Sequence, residues 1–328
     1  MTADVVPTDG AAGTPRAGDR YAYLGPAGTF TEAALRQVVA PEDATYLPQT
    51  DVVSAIEAVR TGDADFAVVA IENSVEGGVT AVLDTLAVGT PLVLLREMLV
   101  RVGFVLAARP GTRIEDIRRI SAHPHAWAQC RRWLAGNLPG VVHVPATSNT
   151  APAALLAGSA ENLGFEAALV PPPALEHYGL EALAEHVADN ESAVTRFVLV
   201  GRPGAVPART GADKTTLVVH LPSNQAGALL EMLEQFSARG VNLSRIESRP
   251  IGDSLGRYSF SMDAEGHVED ERMAEALMGL HRVCPHVRFL GSYPRVDAPQ
   301  GEVRPGTFDA DFHAARAWVE TLREGTGH

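Results

Sequence analysis

The sequence predicts an α/β protein followed by a small ferredoxin-like domain, and two patterns support that prediction. Between residues 20 and 201, short β-rich runs such as "DFAVVAIE" and "RFVLVG" alternate with helical patterns such as "DVVSAIEAVRTG". Strands that alternate with helices indicate an α/β sheet. Between residues 214 and 294 the order is strand, helix, strand, strand, helix, strand, which is the ferredoxin-like βαββαβ pattern.

The elements of the second region follow from periodicity and helix-end signals. "KTTLVVHL" predicts a strand, and "SNQAGALLEMLEQFSARG" predicts a helix with Ser223 or Asn224 as its N-cap and Gly240 at its end. The apolar stripe of this helix recurs at helical spacing: Leu229, Leu230, Leu233 and Phe236. Two strands around a turn, a second helix and a last strand follow: "VNLSRIESRP", "GRYSFSMDAEG", "VEDERMAEALMGLHRV" and "HVRFLGSYPR".

Three further segments flank or join these regions. Residues 1–19 are expected to be a flexible tail. Residues 202–213, rich in Gly, Pro and Ala, are expected to be a linker. Residues 295–328 form a C-terminal tail in which "DADFHAARAWVETLRE" predicts one amphipathic helix.

The bulk properties exclude several classes of protein. The chain has 328 residues, more than one domain at about 150 residues each, and its formal net charge of −13 disfavours a nucleic-acid binder. Two cysteines are too few for a disulfide framework and fit a reduced, cytoplasmic setting. The start of the chain lacks the pattern of a signal peptide, and no apolar run is long enough to span a membrane.

The stretch "YLGPAGTFTEAAL" has the strand–glycine turn–helix form of many phosphate-binding loops. It lacks both the third glycine of a dinucleotide fingerprint and the Gly-Lys-Ser/Thr of a P-loop, so nucleotide binding is disfavoured. Two alternatives stay open. The amides that open the helix at Thr29 to Thr31 can hold a carboxylate, or Thr29 is simply the N-cap of a βα turn.

Three more stretches place polar residues next to predicted strands or helices. In "AIENSVEGGV", Glu72, Asn73 and Ser74 follow a buried strand at a sheet edge, where open α/β folds bind ligands; the alternative is an ordinary polar loop. "TSNTAPAALL" places three hydroxyls and an amide before a helix, as a cap or an anion-binding nest. In "AVTRFVLV", Arg196 is either paired structurally or directed at an acidic ligand.

Two histidine–cysteine stretches suggest metal binding only weakly. "HPHAWAQC" contains His123, His125 and Cys130, and "HRVCPH" contains a similar set, but neither is followed by a second pair with zinc spacing. We therefore expect no metal site, and helix capping or ligand contact is the better interpretation of these residues.

Together and in this order, these blocks resemble the prephenate dehydratase family with a C-terminal ACT regulatory domain. The resemblance covers residues 20 to 295 and rests on "YLGPAGTFTEAAL", "AIENSVEGGVTAVLDTL", "HPHAWAQCRRWL", "EAALVPPPALEHYGL", "TRFVLVG", "GALLEMLEQFSARGVNLSRIESRP" and "VRFLGSYPR". It implies a two-lobed catalytic domain like a type 2 periplasmic binding protein, over residues 20–201. The implied lobes are 20–93 with 186–201, and 94–185. The ACT domain is expected at residues 214–294.

The resemblance implies a function and leaves two alternatives. The family converts prephenate to phenylpyruvate, CO2 and water in phenylalanine biosynthesis, without a cofactor, as a carbon–oxygen lyase. An arogenate dehydratase, or a non-enzymatic small-ligand sensor on the same fold, stays open. The sequence departs from the family pattern at Ala193, where Asn is frequent, at "SNTAPAA", and at His125, where Gln is usual.

The resemblance also implies site residues. The catalytic set is Thr195, Arg196, Asn73 and Ser74, with the Thr195 hydroxyl bonded to the departing oxygen and Arg196 paired with a substrate carboxylate. The substrate-binding set is Gly28, Thr29, Phe30, Ser148, Thr150 and Phe197. The phenylalanine effector site, between subunits of a homodimer or a dimer of dimers, comprises Gly227, Ala228, Leu229, Leu230, Asn242, Leu243, Glu247, Ser248 and Arg249.

Overall fold

The computed structural model describes residues 15–75, 77–158, 162–190, 192–221, 223, 225–251, 258–296 and 303–325. These residues form two compact units. The N-terminal unit comprises residues 15–82 and 98–199, and the C-terminal unit comprises residues 83–97 together with the described residues from 200 onward. Across the described ranges, no helix combines the length and the apolar character that crossing a membrane requires.

The strands are numbered in chain order. They are β1 Arg20–Leu24, β2 Thr45–Gln49, β3 Phe66–Asn73, β4 Gly77–Gly78, β5 Val93–Arg101, β6 Val105–Ala108, β7 Arg119–Ala122, β8 Val142–Pro145, β9 Ala167–Val170, β10 Glu181–Ala184, β11 Val194–Gly201, β12 Asp213–His220, β13 Leu243–Pro250, β14 Tyr258–Glu265 and β15 His286–Pro294.

The helices are numbered in the same way. They are α1 Phe30–Leu35, α2 Val52–Thr61, α3 Thr80–Ala87, α4 Pro124–Gln129, α5 Arg131–Asn137, α6 Ala151–Ala157, α7 Pro173–Tyr178, α8 Ala228–Ser237, α9 Glu271–Val283 and α10 Asp309–Arg323. Single 3-10 turns occur at Pro41–Asp43 and Ile114–Asp116.

The N-terminal unit is built on two sheets, one for each lobe. The first has the strand order β2-β1-β3-β11-β5, with β4 paired to β3, and the second has the order β10-β6-β9-β7-β8. In the first sheet β1 runs parallel to β2 and β3, and in the second β7 runs parallel to β8 and β9. The chain passes from one sheet to the other after β5 and returns before β11. The predicted two-lobed α/β class is therefore confirmed.

Burial explains why the central strands are continuous apolar runs. In β3 and β9 the residues Val68, Val69 and Leu169 are fully buried, as expected for strands whose two faces are both covered by helices. The second lobe has a core that includes Leu106, Ile120 and Leu169, and the ring of Phe30 in α1 packs against that core.

The C-terminal unit contains a four-stranded antiparallel sheet in the order β13-β14-β12-β15. With α8 and α9 this is the predicted βαββαβ fold, which is confirmed. Met232 and Phe236 of α8 and Met273, Ala276 and Leu280 of α9 share one buried core with the sheet. The predicted tail helix is present as α10, and His313 and Arg316 on it bond to Glu271 of α9.

The start of α8 differs from the sequence prediction. The helix begins at Ala228, and Gly227 stands at its N-cap in the left-handed conformation, with φ 92°. Ser223 lies before the turn that precedes this cap, so its prediction as N-cap is wrong, and Asn224 falls outside the described residues. Glycine tolerates this backbone conformation without the Cβ penalty that other residues carry.

Candidate active site and effector region

Thr195 and Asn73 come together at the ends of neighbouring strands β11 and β3. The Nδ2 of Asn73 donates a hydrogen bond of 2.8 Å to Oγ1 of Thr195, and its Oδ1 accepts one of 2.8 Å from the Val75 amide. The second bond fixes which end of the amide faces Thr195. Since Oγ1 already accepts from Asn73, the hydrogen of the Thr195 hydroxyl is directed at a different acceptor. The pair therefore leaves the Thr195 hydroxyl able to donate to another group.

Ser74 joins the same two strands through the backbone. Its amide donates to the Val194 carbonyl at 2.9 Å, and its Oγ accepts from the Val194 amide at 3.0 Å. The hydroxyl of Ser74 thus takes the place of a backbone acceptor beside β11. This arrangement holds the residue that precedes Thr195, so Ser74 fixes the start of β11, and a catalytic role for Ser74 stays a prediction.

Arg196 is buried and paired with Glu72. Its Nε lies 3.1 Å from Oε2 of Glu72. Consecutive residues of a strand point to opposite faces, so Arg196 and Glu72 lie on one face of the sheet and Thr195 and Asn73 on the other. The structure thus pairs Arg196 with Glu72, and contact between Arg196 and a substrate carboxylate stays a prediction.

Phe197 follows on the same face of β11 as Thr195, two residues further along the strand. Its side chain is buried in the interior. A phenyl ring in that position stabilises the sheet through packing. Contact between Phe197 and a substrate stays a prediction.

The loop before α1 is held by its own side chains. The Thr29 hydroxyl accepts from the Glu32 amide at 3.2 Å and donates to the Leu24 carbonyl at 3.1 Å. The Glu32 carboxylate accepts from the Gly28 amide at 2.6 Å and pairs with Arg36. This reciprocal capping satisfies donors around the helix start, and the negative charge next to them is the Glu32 carboxylate. Thr29 is thus the N-cap of α1, and binding of a substrate carboxylate at this helix start stays a prediction.

The same loop contacts the second lobe at Gly28 and Phe30. A Cβ on Gly28, whose φ is 80°, would lie 3.1 Å from the Cα of Ala174 in α7. The Tyr178 hydroxyl at the end of α7 donates to the Ala27 carbonyl at 3.1 Å. The ring of Phe30 meets the ring of Phe104 edge to face, with centroids 5.7 Å apart. Gly28 is therefore required here by close packing and backbone conformation.

A pocket of about 440 Å³ lies where the chain passes between the lobes. It is mostly apolar, as small-molecule sites usually are, and it carries a few polar side chains. Its lining residues are Arg101, Val102, Gly103, Phe104, Val105, Pro172, Leu175, Glu185, His186 and Ala188. The sequence did not predict these residues as a site, although Pro172 and Leu175 lie within the "EAALVPPPALEHYGL" stretch. In the structure, the φ of 54° at His186 is uncommon for a residue other than glycine.

Ser148 and Thr150 have different environments at the start of α6. The Ser148 Oγ accepts from the Ala151 amide at 3.0 Å, so Ser148 acts as a helix cap. Thr150 has no exposed surface, and its Oγ1 has no hydrogen-bond partner within the described part of the chain. Oδ1 of the neighbouring Asn149 is unpartnered in the same way. Buried polar groups without partners are costly, so Thr150 is the better candidate of the two to bind a water molecule or a ligand.

The predicted effector residues lie in two parts of the C-terminal unit. Gly227 to Leu230 form the start of α8, where Leu229 is 40% and Leu230 60% exposed while Ala228 is buried. The others lie at or along β13: Asn242, Leu243, Glu247, Ser248 and Arg249. Arg249 makes a two-bond pair with Asp84, with both N–O distances 2.9 Å.

A buried charged network on the four-stranded sheet of the C-terminal unit was not predicted. Arg245 of β13 bonds to both carboxylate oxygens of Asp263 at 2.9 and 3.0 Å, and to the Ser261 hydroxyl at 3.0 Å. Thr216 donates to the same Asp263 carboxylate and bonds to the Tyr293 hydroxyl. Every charge in this network is neutralised nearby, which is the condition for burying an ion pair.

His123 of the "HPHAWAQC" stretch caps a helix. Nδ1 of His123 accepts from the His125 amide at 3.3 Å at the start of α4. In the described ranges no three His, Cys, Asp or Glu side chains are grouped so that they could hold a metal ion.

Comparison with known proteins identifies the family. The prephenate dehydratase family matches residues 21–205, and the ACT domain family matches residues 215–282. A prephenate dehydratase from Mycolicibacterium vanbaalenii is 45% identical over 317 residues, covering 93% of this chain and 98% of the relative. The chain belongs to the prephenate dehydratase family.

Two solved structures of this family's fold are informative. The prephenate dehydratase of Arthrobacter aurescens, solved in complex with L-Phe, is 55% identical with a TM-score of 0.88, and the match covers 93% of this chain and 99% of that one. A protein named GqqA, described as a quorum-quenching acylase, is 32% identical with a TM-score of 0.75, covering 85% of this chain and 98% of that one. The second neighbour shows that a different activity has been assigned to a similar chain.

One departure from the family pattern now has a structural setting. Ala193, where the family often has Asn, is buried, and its carbonyl accepts from the Val102 amide at 2.8 Å. The bond joins the start of β11 to the segment that follows β5. A methyl group at this position leaves Asn73 as the amide that contacts Thr195.

Proposed function

We propose that this chain is a prephenate dehydratase, which converts prephenate to phenylpyruvate, CO2 and water. The observation that carries the proposal is the hydrogen bond of 2.8 Å that Asn73 donates to the Thr195 hydroxyl oxygen. A hydroxyl held as an acceptor on one side is a hydrogen-bond donor on the other. Such a donor is what the departure of a ring hydroxyl requires.

The proposed reaction needs no electron sink beyond the substrate ring. As the bond between the ring and its carboxylate breaks, the electron pair enters the ring and CO2 leaves. The ring becomes aromatic, and the hydroxyl on the opposite carbon leaves with the electron pair of its C–O bond. One proton is taken up by that oxygen, so water is the final product.

Thr195 stabilises the charge on the leaving oxygen through a hydrogen bond that strengthens as the C–O bond breaks. Threonine is too weak an acid to lose its proton at neutral pH, so the net proton comes from another donor. Asn73 bonds to the Thr195 hydroxyl oxygen. Ser74 and the Glu72–Arg196 ion pair hold together the two strands on which Asn73 and Thr195 lie. Positioned hydrogen bonding and proton transfer of this kind contribute roughly 10²–10⁴ in rate.

Incubation of the purified chain with prephenate and, separately, with arogenate tests the proposal. Formation of phenylpyruvate from prephenate supports it, and preferential formation of phenylalanine from arogenate supports arogenate dehydratase instead. Binding of either compound without turnover favours a sensor. An N-acylated quorum-sensing signal belongs in the same assay, because the 32% identical neighbour is described as an acylase.

We also propose that L-phenylalanine binds the ACT domain and inhibits the enzyme as the end product of its pathway. The L-Phe complex of the Arthrobacter aurescens protein, 55% identical to this chain, supports this proposal. Gly227 allows a close backbone approach at the start of α8, and the amides near Asn242 and Leu243 are candidates for the effector carboxylate. Calorimetric titration with L-phenylalanine, followed by inhibition assays, tests both parts.

Assembly as a homodimer or a dimer of dimers is proposed on two exposed apolar surfaces. Leu229 and Leu230 on α8 are 40% and 60% exposed. At the N-cap of α10 and along it, several large apolar side chains are also exposed: Phe308, Trp318, Val319 and Leu322. Clusters of exposed large apolar residues mark association surfaces. Sedimentation velocity with and without phenylalanine tests the state, and a monomer at all concentrations contradicts it.

The domain boundaries and the compartment are proposals of the same kind. Residues 20–201 are proposed as the catalytic domain, 202–213 as the linker and 214–294 as the ACT domain. Limited proteolysis followed by mass spectrometry tests whether cleavage concentrates in the linker. Cys130 and Cys284 are both free and buried, which supports a reduced cytoplasmic setting.

A further inference from the structure

We infer that residues 83–97, named here the relay segment, transmit the effect of phenylalanine from the ACT domain to the residues that orient Thr195. The relay segment comprises the end of α3 and the first part of β5, and it belongs to the same compact unit as the ACT sheet. The inference rests on the proposed regulation by phenylalanine and names the route of that regulation.

Arg288 of β15 attaches the relay segment at the end of α3. Its Nη1 donates to the carbonyls of Leu86 and Val88 at 3.2 and 3.0 Å, and its Nη2 donates to the Gly89 carbonyl at 2.8 Å. These carbonyls end a helix, where backbone acceptors lack partners and a positive charge is favoured. One side chain of the ACT sheet therefore caps α3.

Arg249 attaches the segment one turn earlier. Its Nε and Nη2 bond to the two carboxylate oxygens of Asp84, both at 2.9 Å. Arg249 lies on β13 among the predicted effector residues. The planar guanidinium binds a carboxylate in this two-bond form with defined geometry. A displacement of β13 on effector binding is thereby passed directly to α3.

Two closer contacts hold the first part of β5. Gly291 of β15 has φ 130°, and a Cβ there would collide with the Leu94 carbonyl. Lys214 of β12 bonds to Oε2 of Glu97 at 2.9 Å, with both side chains almost fully buried, and Oε1 of Glu97 accepts from the Val296 amide at 3.0 Å. The relay segment therefore follows the ACT sheet along its length.

Both ends of the relay segment continue into chain that holds the proposed catalytic pair. Before it, the Val79 amide bonds to the Ile71 carbonyl at 2.9 Å, and Gly77 pairs with Asn73 in the β3–β4 hairpin. After it, the Val102 amide bonds to the Ala193 carbonyl at 2.8 Å, two residues before Thr195. A shift of the segment acts on Asn73 from one side and on Thr195 from the other.

The test uses Asp84→Asn and Arg288→Met, which change only the contacts between the relay segment and the ACT sheet. Arg282→Gln is the matched control, because Arg282 is an exposed arginine of the same unit at the end of α9. We expect both test variants to keep wild-type kcat/KM without effector and to bind L-phenylalanine in calorimetry. Allosteric couplings are typically about 5–150-fold. In the two test variants we expect phenylalanine to change kcat/KM by less than about twofold.

Linkage provides a second readout. In the wild type, saturating phenylpyruvate should change the Kd for phenylalanine. Saturating phenylalanine should change the Kd for phenylpyruvate by the same factor. In the two test variants that change should disappear, while Arg282→Gln keeps it. Hydrogen exchange of residues 71–79 and 98–102 should respond to phenylalanine in the wild type and not in Arg288→Met.

The possible outcomes separate the inference from the proposed function. A wild type that turns over no prephenate, or binds no phenylalanine, overturns the proposed function. A regulated wild type whose Asp84→Asn and Arg288→Met variants respond to phenylalanine as fully as Arg282→Gln overturns the relay. An active wild type that binds phenylalanine with no change of exchange at residues 71–79 and 98–102 overturns it as well.

Discussion

The proposed catalytic residues and the predicted effector residues differ in their contacts and exposure within one chain. Thr195 and Asn73 are 122 positions apart, yet they share a hydrogen bond, and Thr195 is 7% exposed. The effector residues at the start of α8 instead present apolar side chains outward, with Leu230 60% exposed. The proposed catalytic pair is thus joined by its own hydrogen bond, whereas the predicted effector region exposes apolar side chains.

This difference has a physical consequence for mutation. A prearranged polar pair loses function when one atom is removed, because the remaining partner no longer holds the reactive group. An exposed apolar region loses little stability on substitution, and its changes affect binding and assembly. The predictions below test this contrast from the largest expected effect to the smallest.

Replacement of Thr195 by valine should give the largest effect. Thr195→Val keeps the shape and removes the hydroxyl, so we expect kcat to fall by at least ~10² while KM changes by only a few fold. Steady-state kinetics of phenylpyruvate formation measures both. Thr195→Ser, which retains a hydroxyl, is the control and should keep most of the activity. Wild-type kcat in the valine variant would remove Thr195 from the mechanism.

Replacement of Gly291 by alanine should destabilise the C-terminal unit. The new Cβ collides with the Leu94 carbonyl at a φ of 130°, so we expect the free energy of unfolding to fall by about 1–3 kcal/mol. Denaturant unfolding measures this change.

Gly227→Ala is the matched comparison for that variant. Gly227 has φ 92°, but a Cβ there meets open space, so only the left-handed backbone cost of about 1 kcal/mol remains. We expect Gly227→Ala to reduce the effect of phenylalanine on kcat/KM while the free energy of unfolding falls by only about 1 kcal/mol. Equal destabilisation of the two variants would contradict the steric explanation, and full phenylalanine sensitivity would argue against an effector site at Gly227.

Replacement of Arg196 by lysine tests the pair on the opposite face of β11. Lysine keeps the charge and loses the planar fork, so we expect kcat/KM to fall by roughly tenfold. Glu72→Gln should produce a similar loss if Arg196 acts by holding Glu72. A large loss in Arg196→Lys with none in Glu72→Gln would instead support direct contact between Arg196 and the substrate. Wild-type kcat/KM in the lysine variant would mean a structural role alone.

The smallest expected effect is a change in the pH dependence of unfolding caused by the two cysteines, one in each unit. Burial raises the pKa of the Cys130 thiol in the N-terminal unit to about 12 and that of the Cys284 thiol in the C-terminal unit to about 11. A folded-state pKa above the unfolded value adds stability that is complete below the unfolded pKa and is lost as the pH rises through the folded one. We expect the free energy of unfolding to fall above about pH 9, where the unfolded thiols ionise.

Cys130→Ala and Cys284→Ala should each remove part of this alkaline slope, measured by denaturant unfolding between pH 7 and pH 10. Thiol labelling of the native protein at pH 8 should be slow at both positions because both side chains are buried. Rapid labelling of one cysteine only would show that its unit opens locally.

The sequence by itself determined the order of elements, the βαββαβ fold and the family. These depend on local signals, since hydrophobic periodicity, turn residues and short motifs are properties of neighbouring residues. The same signals placed Asn73, Ser74 and Thr195 at strand ends. For Thr29, local chemistry allowed either a helix cap or an anion site, and the Thr-x-x-Glu spacing of Thr29 and Glu32 agrees with the cap seen in the structure.

Only the tertiary structure decided how these residues are paired. The register of β3 beside β11 puts Asn73 against Thr195 and Glu72 against Arg196 on opposite faces, and a slip of one residue would break both pairs. The attachment of residues 83–97 to Arg249, Arg288 and Gly291 is equally invisible in the sequence. Such contacts join positions more than a hundred residues apart, and they form only because folded strands bring those positions within hydrogen-bond distance.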